Sequence, residues 1–200
     1  MRKLIFCFLL FTQVATVTAE VTPSLNSDVI RERFGSYGVE VLSQNDELRV
    51  ANLFSGEGNS KVSRTLAVTV FVLPRDSRLD ASDQVIRAGG SIGASLRNAG
   101  FVVDKRVLLD TEVTTGSGFV ALSNNTVGVR TQLKTRVYAL CAVEGNEAIP
   151  YAVIAEAYHP EHAPPPFDER TTDPILVDSA EKALQHLKAL MQEVAVSPAA

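Results

Sequence analysis

Hydrophobic and polar positions alternate through YGVEVLSQNDELRVANLF, residues 37–54, around the polar quartet Gln44-Asn45-Asp46-Glu47. That pattern predicts two strands joined by a turn. SGEGNS, 55–60, is a second turn, and KVSRTLAVTVFVLP, 61–74, reads as a long buried strand closed by Pro74. A period of two puts Arg64 on the side of Leu66, Val68, Val70 and Val72. Asp80 and Asp83 then take the positions of an N-cap and its partner. Val85, Ile86, Ile92 and Leu96 follow at helical spacing, and Gly100 is the stop. Glycine costs about 1 kcal/mol against alanine inside a helix, so Gly89-Gly90 predicts two short helices rather than one.

FVVDKRVLL, 101–109, is a strand, and TEVTTGSGFVALSNNTVG, 111–128, is weakly patterned, as a flap would be. TRVYALCAV, 135–143, and IPYAVIAEAY, 149–158, form a hairpin around residues 144–147. Five prolines fall within 160–174, marking 160–176 as an extended connection. Asp178 with Glu181 resembles a capping box for a helix over 178–195, with Ala180, Ala183, Leu184, Leu187, Leu190, Met191 and Val194 as its apolar stripe. The expected fold is one α+β domain over 20–200, a mostly antiparallel sheet with helices packed on one side.

The first 19 residues change the picture. Arg2-Lys3, an apolar run from Leu4 to Phe11 and Val17-Thr18-Ala19 read as a secretory signal cut after Ala19. The expected location is the periplasm or outside the cell. Removing that segment takes away two bases and no acids, so 19 Lys+Arg become 17 against 23 Asp+Glu. This acidic balance gives no broad electrostatic reason to bind nucleic acid or an anionic membrane. Cys141 is then the sole cysteine, which leaves an internal disulfide without a second partner.

Gly89-Gly90-Ser91-Ile92-Gly93 fits G-x-S-x-G, but a nucleophile elbow needs a strand running into the glycines, and the residues before Gly89 are patterned as helix. His159, Glu161 and His162 lie beside prolines, in a surface loop where histidines are expected to be solvated, without the dense ligand set that a metal needs, so no metal and no cofactor is expected. Arg64 and Glu156 stand out, each a charge within an apolar strand, with Glu156 on the face of Ile154 and Tyr158. Two readings fit: edge residues that pair with each other, or groups placed to meet a ligand.

LRVANLFSGEGNSKVSRT, 48–65, resembles the strand–turn–strand of chorismate lyases, in which Leu-Arg opens one strand and Arg-Thr lies in the next. AGGSIGASL, 88–96, resembles that family's glycine turn over the ligand, and GNEAIPYAVIAEAYHP, 145–160, its closing hairpin, with Glu156 four residues before Pro160. The resemblance spans about residues 40–160. It implies an antiparallel sheet with a ligand buried under helical flaps. Arg64 would hold the ligand's carboxylate, Glu156 would meet its other end, and Gly90 and Gly93 would let the backbone come close. The family's proline soon after Arg-Thr is absent, the closing hairpin is longer, and the last helix lies outside the match. Chorismate is moreover a cytoplasmic metabolite, whereas this chain carries an export signal. The expected function is therefore an exported binding protein for a small carboxylated ligand, aromatic or not. The alternatives are a lyase releasing pyruvate from a chorismate-like substrate and an assembly factor with a vestigial pocket.

Overall fold

A computed structural model describes residues 24–167 and 169–192, so the expected signal peptide and the last residues of the expected 178–195 helix lie outside the described part. Helix α1, Asn26–Phe34, precedes strands β1, Gly38–Gln44, β2, Leu48–Ser55, and β3, Val62–Phe71. Helices α2, Asp80–Arg87, and α3, Ile92–Asn98, lead into β4, Val102–Thr114. Helix α4, Ser117–Leu122, strands β5, Gln132–Glu144, and β6, Glu147–Tyr158, and helix α5, Pro174–Gln192, complete the order. The strands form one antiparallel sheet in the order β1-β2-β3-β6-β5-β4. Two meanders, β1–β3 and β4–β6, therefore meet where β3 pairs with β6, from Thr65 opposite Tyr158 to Phe71 opposite Ala152.

The α+β class and the antiparallel sheet agree with the sequence pattern. The helices, expected on one side, divide between both faces. On one face α5 buries Leu176, Ala180, Ala183, Leu187 and Met191 against Val68, Val70, Val153 and Ala155, joined by Phe119 of α4. The spacing of those five residues is one helical stripe, and the burial of each large one contributes about 1.5–3 kcal/mol. This face is mainly apolar, with Asn52 and Thr135 buried in it. The other face is roofed by α1, α2, α3 and the proline-rich segment, with Leu25, Leu79, Ile86, Leu96 and Phe167 packed on Val103, Tyr138, Leu140 and Tyr151.

Several boundaries move for identifiable reasons. β4 runs on to Thr114, so the expected flap at 111–128 is part strand and part helix α4. α5 starts at Pro174, inside the expected connection, because proline at the first helical position has no N–H to leave unpaired. Asp173 Oδ1 accepts from the Ile175 amide at 3.0 Å and caps it, so Asp178 and Glu181 are interior to the helix. The proline-rich segment is extended yet held down. The Arg136 guanidinium donates to the carbonyls of Pro165 and Phe167, and the Phe167 ring packs edge-on against Tyr138. Further along, residues 169–171 hydrogen-bond to Val107 and cover part of the β4 edge. Cys141 is buried and free, and burial pushes its thiol up to about 11. No helix among the described residues is long and apolar enough to cross a membrane.

Candidate functional site

On the roofed face, alternation along β2 sends Arg49, Ala51 and Leu53 inward while Val50 faces α5. Across the sheet, Arg49 shares a row with Thr69, Ile154 and Tyr138, and Ala51 shares the next with Ala67 and Glu156. These residues, with Tyr37, Ser91, Gly93, Lys105 and Asn26, line a cavity of about 70 Å³ between the sheet and α1 and α3. At about 10–15 Å³ per water, it holds several waters or a compact small molecule.

The lining carries charges of both signs. Arg49, 2% exposed, donates through Nη1 to the carbonyls of Ile86 and Gly90 at 3.0 and 2.9 Å. Its Nε has no hydrogen-bond partner, and among the described residues no carboxylate lies within 4.0 Å of the guanidinium. Those two carbonyls come from the C-terminal end of α2 and the turn after it, where carbonyl oxygens lack intrahelical donors. Glu156, 4% exposed, accepts from Asn26 Nδ2 at 3.1 Å and from the Tyr158 hydroxyl at 2.7 Å. The Tyr138 hydroxyl also bonds to Glu156. Burial, with the nearby Glu156 charge, raises both phenols well above the usual tyrosine value. With strands about 4.8 Å apart and residues rising about 3.4 Å, the Arg49 and Glu156 Cα atoms stand on the order of 12 Å apart, at opposite ends of the lining.

Asn26 ties the roof to this floor. Its Nδ2 also donates to Thr65 Oγ1 at 3.1 Å, and its Oδ1 lies 2.6 Å from His162 Nε2. With Oδ1 as acceptor, His162 Nε2 carries the proton, which leaves Nδ1 buried and without a partner. Burial, reinforced by Arg33 and Arg64, pushes the His162 ring down to about 4. Tyr37 bonds to Ser91 at the start of α3, and burial raises its phenol.

No family model matches the chain, and no curated protein matches it. The site therefore rests on its own geometry.

That geometry brings only part of the expected set together. Glu156 and Gly93 line the cavity, and Gly90 supports it through the bond from Arg49 to its carbonyl. Arg64 is absent from the lining. Leu66 and Val68, with which the period of two grouped it, face α5 rather than the cavity, and Arg64 is itself the extra residue of β3 opposite Leu53 and Phe54, where that period breaks. Its guanidinium stacks over the Phe34 ring at 3.8 Å, donates to Ser55 Oγ at 2.8 Å and pairs with Glu161 at 2.9 Å. Arg64 thus meets a carboxylate, but Glu161 rather than Glu156. Arg49 stands where Arg64 was expected.

The glycines act through protein contacts. Gly89 alone in that run has a left-handed φ, +101°. At Gly90 a Cβ would lie 2.8 Å from the Val85 carbonyl oxygen, and at Gly93 it would lie 2.6 Å from Leu25 Cδ2. Ser91 sits between two helices, away from any strand, and no histidine lines the cavity, so the elbow arrangement does not form. His159 and His162 are buried rather than solvated. His159 bonds through Nε2 to Thr126 and accepts at Nδ1 from the Glu161 amide, leaving neither nitrogen for a metal. Among the described residues, no three His, Cys, Asp or Glu gather for one.

Proposed function

We propose that this protein is an exported module that encloses a small carboxylated ligand between its sheet and the α1–α3 roof. The observation that carries the reading is Arg49, a buried guanidinium on a cavity wall with no carboxylate of its own. A buried charge is costly until paired, and a planar fork meets two carboxylate oxygens at once. Glu156 with its two phenols offers hydrogen-bonding groups at the far end, and Ala51, Leu53 and Leu140 supply apolar wall between. An aromatic acid would exceed the present volume of about 70 Å³, so its entry would require the cavity to widen. Export is supported by Arg2-Lys3, the apolar run after it and Val17-Thr18-Ala19.

The test is calorimetric titration with benzoate and glycolate, one aromatic and one compact carboxylate, against the wild type and Arg49→Met. Binding of at least one acid, weakened about 30-fold or more by the substitution, is the expected result; that factor is about 2 kcal/mol. Equal affinity in the variant, or no binding of either acid, overturns the reading.

A second reading, a chorismate-lyase-like enzyme, is favoured by one observation. Arg49 belongs to the Leu48-Arg49 pair within the segment that resembles that family, and it shares a cavity with Glu156 under a helical roof. Incubation with chorismate decides it, since a lyase releases pyruvate and a binding module does not.

A further inference from the structure

One lining residue has a chemistry that carboxylate binding leaves unused. Along β4, Val103, Lys105 and Val107 point to the roofed face, and Lys105 is only 3% exposed. Its Nζ donates to the Ser24 carbonyl at 3.2 Å and lies 5.5 Å from the Tyr138 ring centroid and 5.2 Å from that of Phe167. Among the described residues no carboxylate reaches ion-pair distance of Nζ. Lysines this deeply buried are rare unless paired, and an amine walled by aromatic rings loses the hydration that favours its charged form. Burial, helped by the Arg97 and Arg136 charges, lowers its pKa below the ordinary lysine value, against the opposing pull of Glu156 and Asp28. A larger share of the free, nucleophilic amine follows.

The cavity therefore combines a guanidinium fit for a carboxylate with an amine able to attack a carbonyl carbon. We propose that Lys105 forms a Schiff base with a carbonyl-bearing carboxylic acid, an aldehyde acid or 2-oxo acid, seated in this cavity. The inference rests on the carboxylate-binding reading above and names its ligand class. The Nζ lone pair forms the C–N bond while the carbonyl π pair moves to oxygen. The proton released by nitrogen ends on that oxygen, giving a carbinolamine. The remaining N–H proton and the hydroxyl group then leave as water as the C=N bond forms. The Tyr138 hydroxyl and Glu156 are acid and base groups on the same lining. No electrons are gained or lost, so no further reagent is needed until the imine is trapped.

The experiment uses the full wild-type chain with glyoxylate as probe and borohydride as trap, followed by intact mass and peptide mapping. Glycolate, which has the carboxylate and no carbonyl, is titrated in parallel by calorimetry. The expected result is one reduced adduct per chain, mapped to Lys105 and formed at least tenfold faster than at the exposed Lys134 and Lys182, with glycolate slowing it. Lys105→Met removes the fast adduct. Glycolate binding together with labelling of Lys105 no faster than Lys134 overturns the Schiff-base inference and leaves the carboxylate site standing. No fast labelling, with neither glycolate nor benzoate bound, overturns both.

Discussion

Replacing Asn26 with alanine is the most direct probe of how the roof is fastened to the sheet. The side chain is buried and makes three hydrogen bonds, to Thr65, Glu156 and His162, at 3.1, 3.1 and 2.6 Å. A neutral bond is worth about 1 kcal/mol net and one to a charged group about 1.5–3 kcal/mol. The substitution also strands groups that are otherwise paired. Glu156 keeps its two phenols, but His162 Nε2 loses its acceptor while Nδ1 is already unpartnered, so the ring has no hydrogen bond left. Summed with allowance for shared partners, Asn26→Ala should cost about 3–4 kcal/mol of unfolding free energy. For a domain of this size that is a fall of about 6–16 °C in melting temperature. Urea denaturation of wild type, Asn26→Ala, Glu156→Gln and the double variant reads both the loss and the coupling between the two side chains. A loss below about 1 kcal/mol, or strictly additive losses, would refute the claim that Asn26 is the fastening point.

Two further outcomes follow from the same geometry. The His162 ring titrates near 4 when folded against 6.5 when free, so the unfolded chain binds more protons between those values. Stability should therefore hold above pH 6.5 and fall by about 2–3 kcal/mol as pH drops from 6.5 to 4. Urea midpoints measured across that range should show a shallower fall in His162→Gln, and an unchanged slope would contradict the assignment. Gly90→Ala places a methyl group 2.8 Å from a backbone oxygen, which should cost about 1–3 kcal/mol and disturb the carbonyl that receives Arg49. Unchanged thermal stability would show that the turn gives way freely.

The first strand pair and the broken helix were legible because each depends on neighbours in sequence. The quartet at 44–47 is a turn, and Gly89-Gly90 separates α2 from α3. Arg64 was misplaced because Leu66 and Val68, with which it was grouped, face α5, and because a period of two fails at a bulge whose extra residue is Arg64 itself. The signal that singled out Glu156 also stood at Lys105, between Val103 and Val107 on the buried side of β4. Arg49 was equally visible, two residues before Ala51. What could not be read locally was which of several embedded charges share a space, since the lining draws on α1, α3 and all six strands. The histidines show the same limit: proline-rich surroundings suggested solvent, and α1 buries His162.

The junction of β3 with β6 decides when the cavity comes into being along the folding route. Each meander pairs strands that are neighbours in sequence, whereas Thr65 and Tyr158 must meet across nearly half of the chain. Such distant pairings are entropically late, because a long loop has to close before any contact rewards it. Arg49 belongs to the first meander and Lys105, Tyr138 and Glu156 to the second. A partly folded chain holding either meander alone therefore owns one end of the cavity without the other. On the proposed function, a ligand would have nothing to grip until the two halves had zipped together, and its binding free energy would then be added wholly to the assembled state.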